Sequence, residues 1–389
     1  MPAPQTAFSQ YLRLKSKVRQ YDAGGRRLGP TDIISVLRGT NAAERKNIWK
    51  ILCGGWRPFR AQGCDALALA GREKMASSVA DVFVVDSAPL LKALAGKRAG
   101  LQKELEAKAA LVGANGFRYC DLWARLPAAG EPVTFEAAIK EIEAVYEGVF
   151  EGGRDFVRGL ANSGRLHFEG AEPRCVTPEG ANNELVYLPE SFKTPRPQEI
   201  PVIAHEFGHA LHCAYARRLA PGKPFNMVFA EYFSQLFEEL AWRRLEAAGK
   251  DREALRLGRL EQRVFDGLLT PAVLELEEYA VPAAKRGALT LEKIEAAEDR
   301  IFREWFNEPP LDALFWLRSE RLFNPELPFH NFVYLAGRAL AEAAAQRFAR
   351  TGRIKRAAFD QLVQDTVELD LRHWLAKYPA DAAVIKGAP

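Results

Sequence analysis

Apolar residues recur at helical spacing along most of the chain, and the runs break at glycine and proline. Runs over 8–22, 30–54, 62–80 and 86–112 predict four N-terminal helices. The turn signal Val112-Gly113-Ala114-Asn115-Gly116 then predicts a boundary between an N-terminal helical lobe, 1–112, and a second domain, 113–389. Thr134 is placed to cap a helix over about 135–162, which ends at Asn162-Ser163-Gly164. The period then changes. Short apolar stretches at 165–168, 174–177 and 184–188, separated by Gly, Pro and Asn, predict three strands of a small sheet.

Helical periodicity returns between 199 and 219, with Ile200, Ile203, Ala204, Phe207, Ala210, Leu211 and Ala214 on the apolar positions. Pro201 falls in the first turn, where it is tolerated, and Pro221-Gly222 closes the run. A second helix is predicted from the N-cap Asn226 to about Ala248, stopped by Gly249. Helices at 251–268, 270–283, 290–306 and 310–322 follow, punctuated by Pro271, Pro282 and Pro309-Pro310. The pattern is that of a mainly α protein with a small β-sheet beside one central helix.

Composition changes this picture little. The chain has 389 residues and ordinary apolar and charged fractions, and its net charge of +4 gives no reason to expect a nucleic-acid partner. The first residues carry no charged-then-apolar leader, and no long uncharged apolar run occurs, so no membrane association is expected. Cys53, Cys64, Cys120, Cys175 and Cys213 are odd in number and lack close metal spacing, which predicts buried free thiols in a reducing cytoplasm.

The chemistry concentrates at His205-Glu-Phe-Gly-His209. Residues four apart on a helix share a face, so the two imidazoles are placed to bind one zinc ion, each at roughly 2.0–2.1 Å. Glu206 lies on the adjoining edge, where it would take a proton from water beside the metal rather than bind it. A catalytic zinc site needs a third protein ligand, and Glu231 in the first turns of the next helix is the candidate. Gln235 and Glu238 follow on the same face as prospective acceptors for the imidazole N–H groups. A solvated helix face would also explain these carboxylates, but Phe229, Phe233 and Phe237 on the same helix argue against full exposure.

His205-Glu-Phe-Gly-His-Ala-Leu-His212, followed by Phe229-Ala-Glu-Tyr-Phe-Ser-Gln-Leu-Phe-Glu-Glu239, resembles the thimet oligopeptidase and oligoendopeptidase F family of zinc metallopeptidases. The resemblance covers about the C-terminal two thirds of the chain, and the region before the motif is shorter than the family usually has. It implies a zincin-type helical fold, His205, His209 and Glu231 as zinc ligands, Glu206 as catalytic base, and a peptide substrate held in extended form along a sheet edge. Two positions depart from the family pattern: Phe233 stands where it has proline, and Val228 where it has aspartate.

Leu327-Pro-Phe-His-Asn-Phe-Val-Tyr-Leu-Ala-Gly337 resembles the family's tyrosine-rich segment, in which a histidine and tyrosines bind substrate and steady the oxyanion. That register keeps Tyr334, replaces two tyrosines with His330 and Phe332, and makes His330 and Tyr334 the candidate oxyanion donors. Tyr334 and Arg338 are candidate substrate contacts, with Arg338 suited to an acidic or carboxylate group. His167 is read as an ordinary strand side chain. The function expected is zinc-dependent hydrolysis of oligopeptides or of an extended protein segment. The alternatives are a catalytically weakened peptide-binding scaffold and a zinc hydrolase of a non-peptide amide.

Overall fold

The computed structural model describes residues 6–21, 25–29, 33, 36–39, 41–74, 76, 78–114, 118–127, 129–169, 172–177, 184–221, 223, 226–249, 251–307, 314–324 and 327–382. The chain divides into two compact units, each assembled from separated stretches of sequence. Among the described residues no helix is long and apolar enough to cross a membrane. All five cysteines are free; Cys53, Cys64 and Cys120 are buried as expected, but Cys175 and Cys213 are only half-buried.

The first unit comprises Met1–Val82, Leu91–Pro127 and Leu260–Phe332. The compact units therefore do not follow a single cut after residue 112. The N-terminal helix Arg60–Glu73 packs on Thr270–Lys285 and Leu291–Phe306, and Ala7–Lys17 packs on Arg60–Glu73, while Ala42–Trp56 packs on the turn Tyr119–Trp123. Together these helices enclose one core that includes Trp49, Leu67, Tyr119, Phe302, Trp305 and Trp316. Tyr119 meets Trp49 and Phe302 edge-on, at ring-centroid distances of 5.2 and 5.3 Å.

Several helix boundaries differ from the sequence expectation: the run 8–22 ends at Lys17, and the run 30–54 is broken at residues 38 and 39 before Ala42–Trp56. The predicted run 62–80 stops at Glu73 and resumes as Val79–Phe83. Arg252–Val264 passes through a π-turn, Phe265–Leu269, into Thr270–Lys285, so Pro271 lies within the first turn of the latter and breaks nothing. Of the helix expected over 310–322, residues 308–313 lie outside the described residues and the rest forms two short turns, Phe315–Arg318 and Glu320–Phe323.

Two buried polar contacts in this unit carry measurable consequences. Lys74 and Glu277 form an ion pair at 2.8 Å with both side chains out of water, and the Phe329 amide donates to the same carboxylate oxygen at 2.7 Å. Removing one partner strands a buried charge, so Lys74→Met is expected to cost about 3–5 kcal/mol in urea denaturation. Lys74→Met combined with Glu277→Leu is expected to recover much of that loss; equal losses in single and double variants would contradict the pairing.

Glu298 accepts a hydrogen bond from the Trp316 amide at 2.8 Å, but burial outweighs this and pushes its carboxyl up to about 7. A carboxyl raised on folding stabilises the protein fully below its ordinary pKa of 4.5 and loses that contribution as pH rises through about 7. Urea midpoints measured from pH 5 to pH 8 are expected to fall less steeply in Glu298→Gln than in the wild type; parallel profiles would reject this assignment.

The second unit comprises Phe83–Leu90, Ala128–Arg259 and Val333–Pro389. Thr134 caps Phe135–Val149 by accepting from the Ala137 amide at 3.2 Å. The helix predicted over 135–162 is two helices, Phe135–Val149 and Gly153–Ala161. Phe150 leaves the helix in an extended conformation, bridges Ile354 and stacks on Phe359 at 3.9 Å, and the left-handed Gly152 opens the next helix.

Strands β1 (Leu166–Phe168), β2 (Arg174–Val176) and β3 (Leu185–Leu188) form the expected sheet in the order β1-β3-β2. The β1–β3 pair is parallel, with His167 opposite Tyr187, and the β2–β3 pair is antiparallel, with Cys175 opposite Val186. His167 stacks on Tyr187 at 5.0 Å, an ordinary cross-strand contact. Val186 and Leu188 are fully buried on the face that packs toward the central helix.

Candidate metal centre

Three helices of the second unit build the site. The motif helix, Ile200–Leu219, starts with Pro201 in its first turn and buries Ile203, Ala204, Phe207 and Leu211. The glutamate helix, Met227–Ala248, begins where the Asn226 side chain accepts from the Val228 amide at 2.9 Å, and it ends at Gly249. Every residue from Val228 to Glu239 on this helix is buried, so its carboxylates do not lie on a solvated face. The third, His330–Thr351, is called the arginine helix for Arg338. Residues 222, 224 and 225 of the turn joining the first two lie outside the described residues.

Glycine sets how closely these helices approach. A Cβ on Gly208, between the two motif histidines, would stand 2.5 Å from Ser234 Cα of the glutamate helix. A Cβ on Gly337 of the arginine helix would stand 2.8 Å from Glu231 Cβ and 3.1 Å from the Tyr232 nitrogen. Gly208 meets backbone atoms and Gly337 meets backbone and the root of the Glu231 side chain, so neither admits a larger residue without a shift of the helix. Behind the motif helix, the buried Tyr146 hydroxyl donates to the Ala204 carbonyl at 2.9 Å while its ring stacks on Phe237 at 3.7 Å.

The two motif imidazoles lie 4.9 Å apart, and the Glu231 carboxylate faces both. Its two oxygens stand 3.8 Å from His205 Nε2 and 3.8 Å from His209 Nε2. Donor atoms of His205, His209 and Glu231 all lie within 4.8 Å of one another. Two donors bound at about 2.1 Å to one tetrahedral ion are separated by roughly 3.4 Å. Two imidazole nitrogens and one carboxylate oxygen at this spacing thus fit a zinc ion in both donor type and separation.

Supporting contacts hold these donors in place. Glu238 Oε2 lies 3.0 Å from His205 Nδ1 and 2.9 Å from Arg338 Nη2. Ser234 Oγ donates to the Glu231 carbonyl at 3.0 Å, and Gln235 Nε2 reaches Glu231 Oε2 at 3.5 Å. Glu238 therefore takes the imidazole contact expected of it, whereas Gln235 donates to the carboxylate instead of accepting from an imidazole.

The electrostatics follow from three carboxylates around two rings. Burial opposes a charge on His205, but the hydrogen bond and charge of Glu238, with Glu206 and Glu231 behind it, raise the imidazole to about 9. Burial, then the His205 charge, holds His209 well below its ordinary value. Burial pushes Glu206 up to about 7, with Glu231 and Glu238 adding to the shift while His205 and a hydrogen bond from the Cys175 amide oppose it. Glu238 resists burial because Arg338 and His205 draw its carboxyl down to about 2.

That amide belongs to β2, so the base candidate Glu206 sits against a strand of the small sheet. Sequence reasoning did not find this contact, nor the part played by Gly208 and Gly337. A glycine inside each of two apolar helices was the available signal, since it costs about 1 kcal/mol relative to alanine and calls for a packing reason.

The remaining candidates lie as follows. His212 is fully buried, stacks on Phe233 at 5.1 Å and bonds Thr366 Oγ1 at 3.1 Å through Nε2, with burial holding it near 3. Thr366 gives its own proton to the Val363 carbonyl, so His212 Nε2 is the donor and the ring is a neutral packing element. The departures Phe233 and Val228 are likewise fully buried. Tyr334 lies on the arginine helix one turn before Arg338 and is half-buried. His330 opens that helix but belongs to the first unit, where burial and then the Arg321 charge hold its imidazole down to about 4.

No protein-family model matches the sequence, and no curated protein matches it. Solved structures do. A putative peptidase from Chlamydophila abortus superposes with a TM-score of 0.75 at 17% identity, over 98% of this chain and 69% of that one. A putative oligoendopeptidase F gives 0.70 at 13% identity, over 98% and 73%. Oligoendopeptidase F from Enterococcus faecium gives 0.64 at 13% identity, over 98% and 71%. At such identities the likeness establishes the architecture alone: a mainly α fold shared with the oligoendopeptidase F structures. This agrees with the resemblance drawn from the motif residues.

A methyl group at Gly208 is expected to push the glutamate helix away from the two histidines. Gly208→Ala should lower stability by roughly 1–3 kcal/mol in urea denaturation. An unchanged urea midpoint would show that the close approach is dispensable.

Proposed function

We propose that the protein is a zinc-dependent metallopeptidase that hydrolyses peptide bonds in oligopeptides or extended protein segments. The reading is carried by one observation: Glu231 faces both motif imidazoles at 3.8 Å, with Glu206 buried beside them. His205, His209 and Glu231 are the proposed ligands. When bound there, zinc supplies Lewis-acid chemistry, acidifying water and polarising a carbonyl.

Glu206 is the proposed general base. Its raised affinity for a proton suits a group that accepts one from water and returns it to the leaving amine. Glu238 holds His205 through Nδ1, which leaves Nε2 directed at the ligand position. Tyr334, on the arginine helix, is the proposed oxyanion donor and a proposed substrate contact. Because Glu206 lies against β2, an extended substrate segment running along this sheet would pass the base; that supports a peptide in strand conformation over a compact substrate.

A mixed peptide library incubated with the zinc-loaded protein and read by mass spectrometry tests the activity. Glu206→Gln is expected to keep its zinc and lose about 10²–10⁴ of the cleavage rate. Wild-type cleavage by the zinc-loaded variant would reject Glu206 as the base, and an untouched library with loaded wild-type protein would reject the peptidase reading.

A further inference from the structure

We propose that Arg338 is a positioning residue for the metal centre, fixing Glu238 and through it the ring of His205. The inference rests on the zinc reading above and concerns a residue whose sequence expectation was a contact with substrate. Arg338 Nη2 and His205 Nδ1 converge on a single atom, Glu238 Oε2, at 2.9 and 3.0 Å. Arg338 and Glu238 are only 13% and 10% exposed, so water does not replace either partner at low cost. The three side chains come from three different helices, and no local sequence rule would hold them in line.

The charge arrangement gives the contact its purpose. A buried carboxylate bonded only to an imidazole pulls strongly on the ring proton. A guanidinium on the same oxygen offsets that pull and keeps the carboxylate anchored as an acceptor. His205 is then held with Nδ1 on the Glu238 carboxylate and Nε2 turned toward Glu231. Position is set as well as charge. Gly337 presses the arginine helix onto the backbone of Glu231, so the residue next along that helix reaches Glu238 from a fixed distance. One helix face therefore places a zinc ligand and supports the ring of another.

The test is a double-mutant cycle on the full chain. Zinc dissociation constants are measured by competition with a chromophoric chelator for wild type, Arg338→Met, Glu238→Gln and the double variant. Glu238→Gln is expected to weaken zinc binding about 10–100-fold and Arg338→Met roughly tenfold, with the double variant no weaker than Glu238→Gln alone. Arg338→Lys, which keeps the charge without the planar fork, is expected to recover part of the affinity. Should Arg338→Met fail to fold in the metal-free state by circular dichroism, the same cycle with Arg338→Lys must show the same non-additivity.

Independent, additive losses would overturn the positioning role. So would wild-type zinc affinity in Arg338→Met accompanied by a raised KM for free-acid but not amidated peptides, which would make Arg338 a substrate contact. Wild-type protein that binds no zinc would remove the metallopeptidase reading and this proposal together. Zinc binding with no coupling between Arg338 and Glu238 would remove the proposal alone.

Discussion

The centre depends on three helices meeting at backbone distance. Two imidazoles one turn apart are a local feature that any helix with this sequence would display. A carboxylate 3.8 Å from both is not, because Glu231 sits on another helix and its side chain is short. It reaches the rings only because Gly208 lets the glutamate helix settle against the motif helix and Gly337 lets the arginine helix settle against Glu231. Ordinary side chains at these two positions would hold helix axes about 8–10 Å apart at the contact, with the larger residues at the wider end.

Close approach creates an electrostatic problem that the same helices resolve. Glu206, Glu231 and Glu238 are all largely out of water. Three uncompensated carboxylates in such a place would take up protons or drive the helices apart. Arg338 balances Glu238, and the paired imidazoles face Glu231. Glu206 keeps a raised carboxyl because burial outweighs the His205 charge and the Cys175 amide. Glu239, one residue beyond Glu238, is bound instead by Arg243 and Arg259 and takes no part in the centre.

Legibility in the sequence followed locality. His205, Glu206 and His209 were readable because their spacing alone fixes a common helix face, and the capping residues Thr134 and Asn226 were readable because a cap bonds within its own turn. Glu231 followed once its helix had a start. The pairing of Arg338 with Glu238 was not readable: the partners lie 100 positions apart, and no periodicity connects them. The sharing of a core between the N-terminal helices and Leu260–Phe332 was hidden for the same reason. Turn signals mark where the chain breaks; they do not say which distant apolar face will cover a given helix. At Phe150 both kinds of signal meet: the bridge to Ile354 is distant, but Gly152-Gly153 beside it is a local break that the sequence displays.

The order in which the chain contributes its parts constrains how the centre comes into being. The imidazoles are made first and Glu231 soon after, yet Arg338, which pairs with Glu238, and Thr366, which bonds His212, lie 100 and 154 positions further along the chain than their partners. Until Arg338 is made, Glu238 lacks its guanidinium partner. Completion of the centre is thus a long-range event rather than a local one.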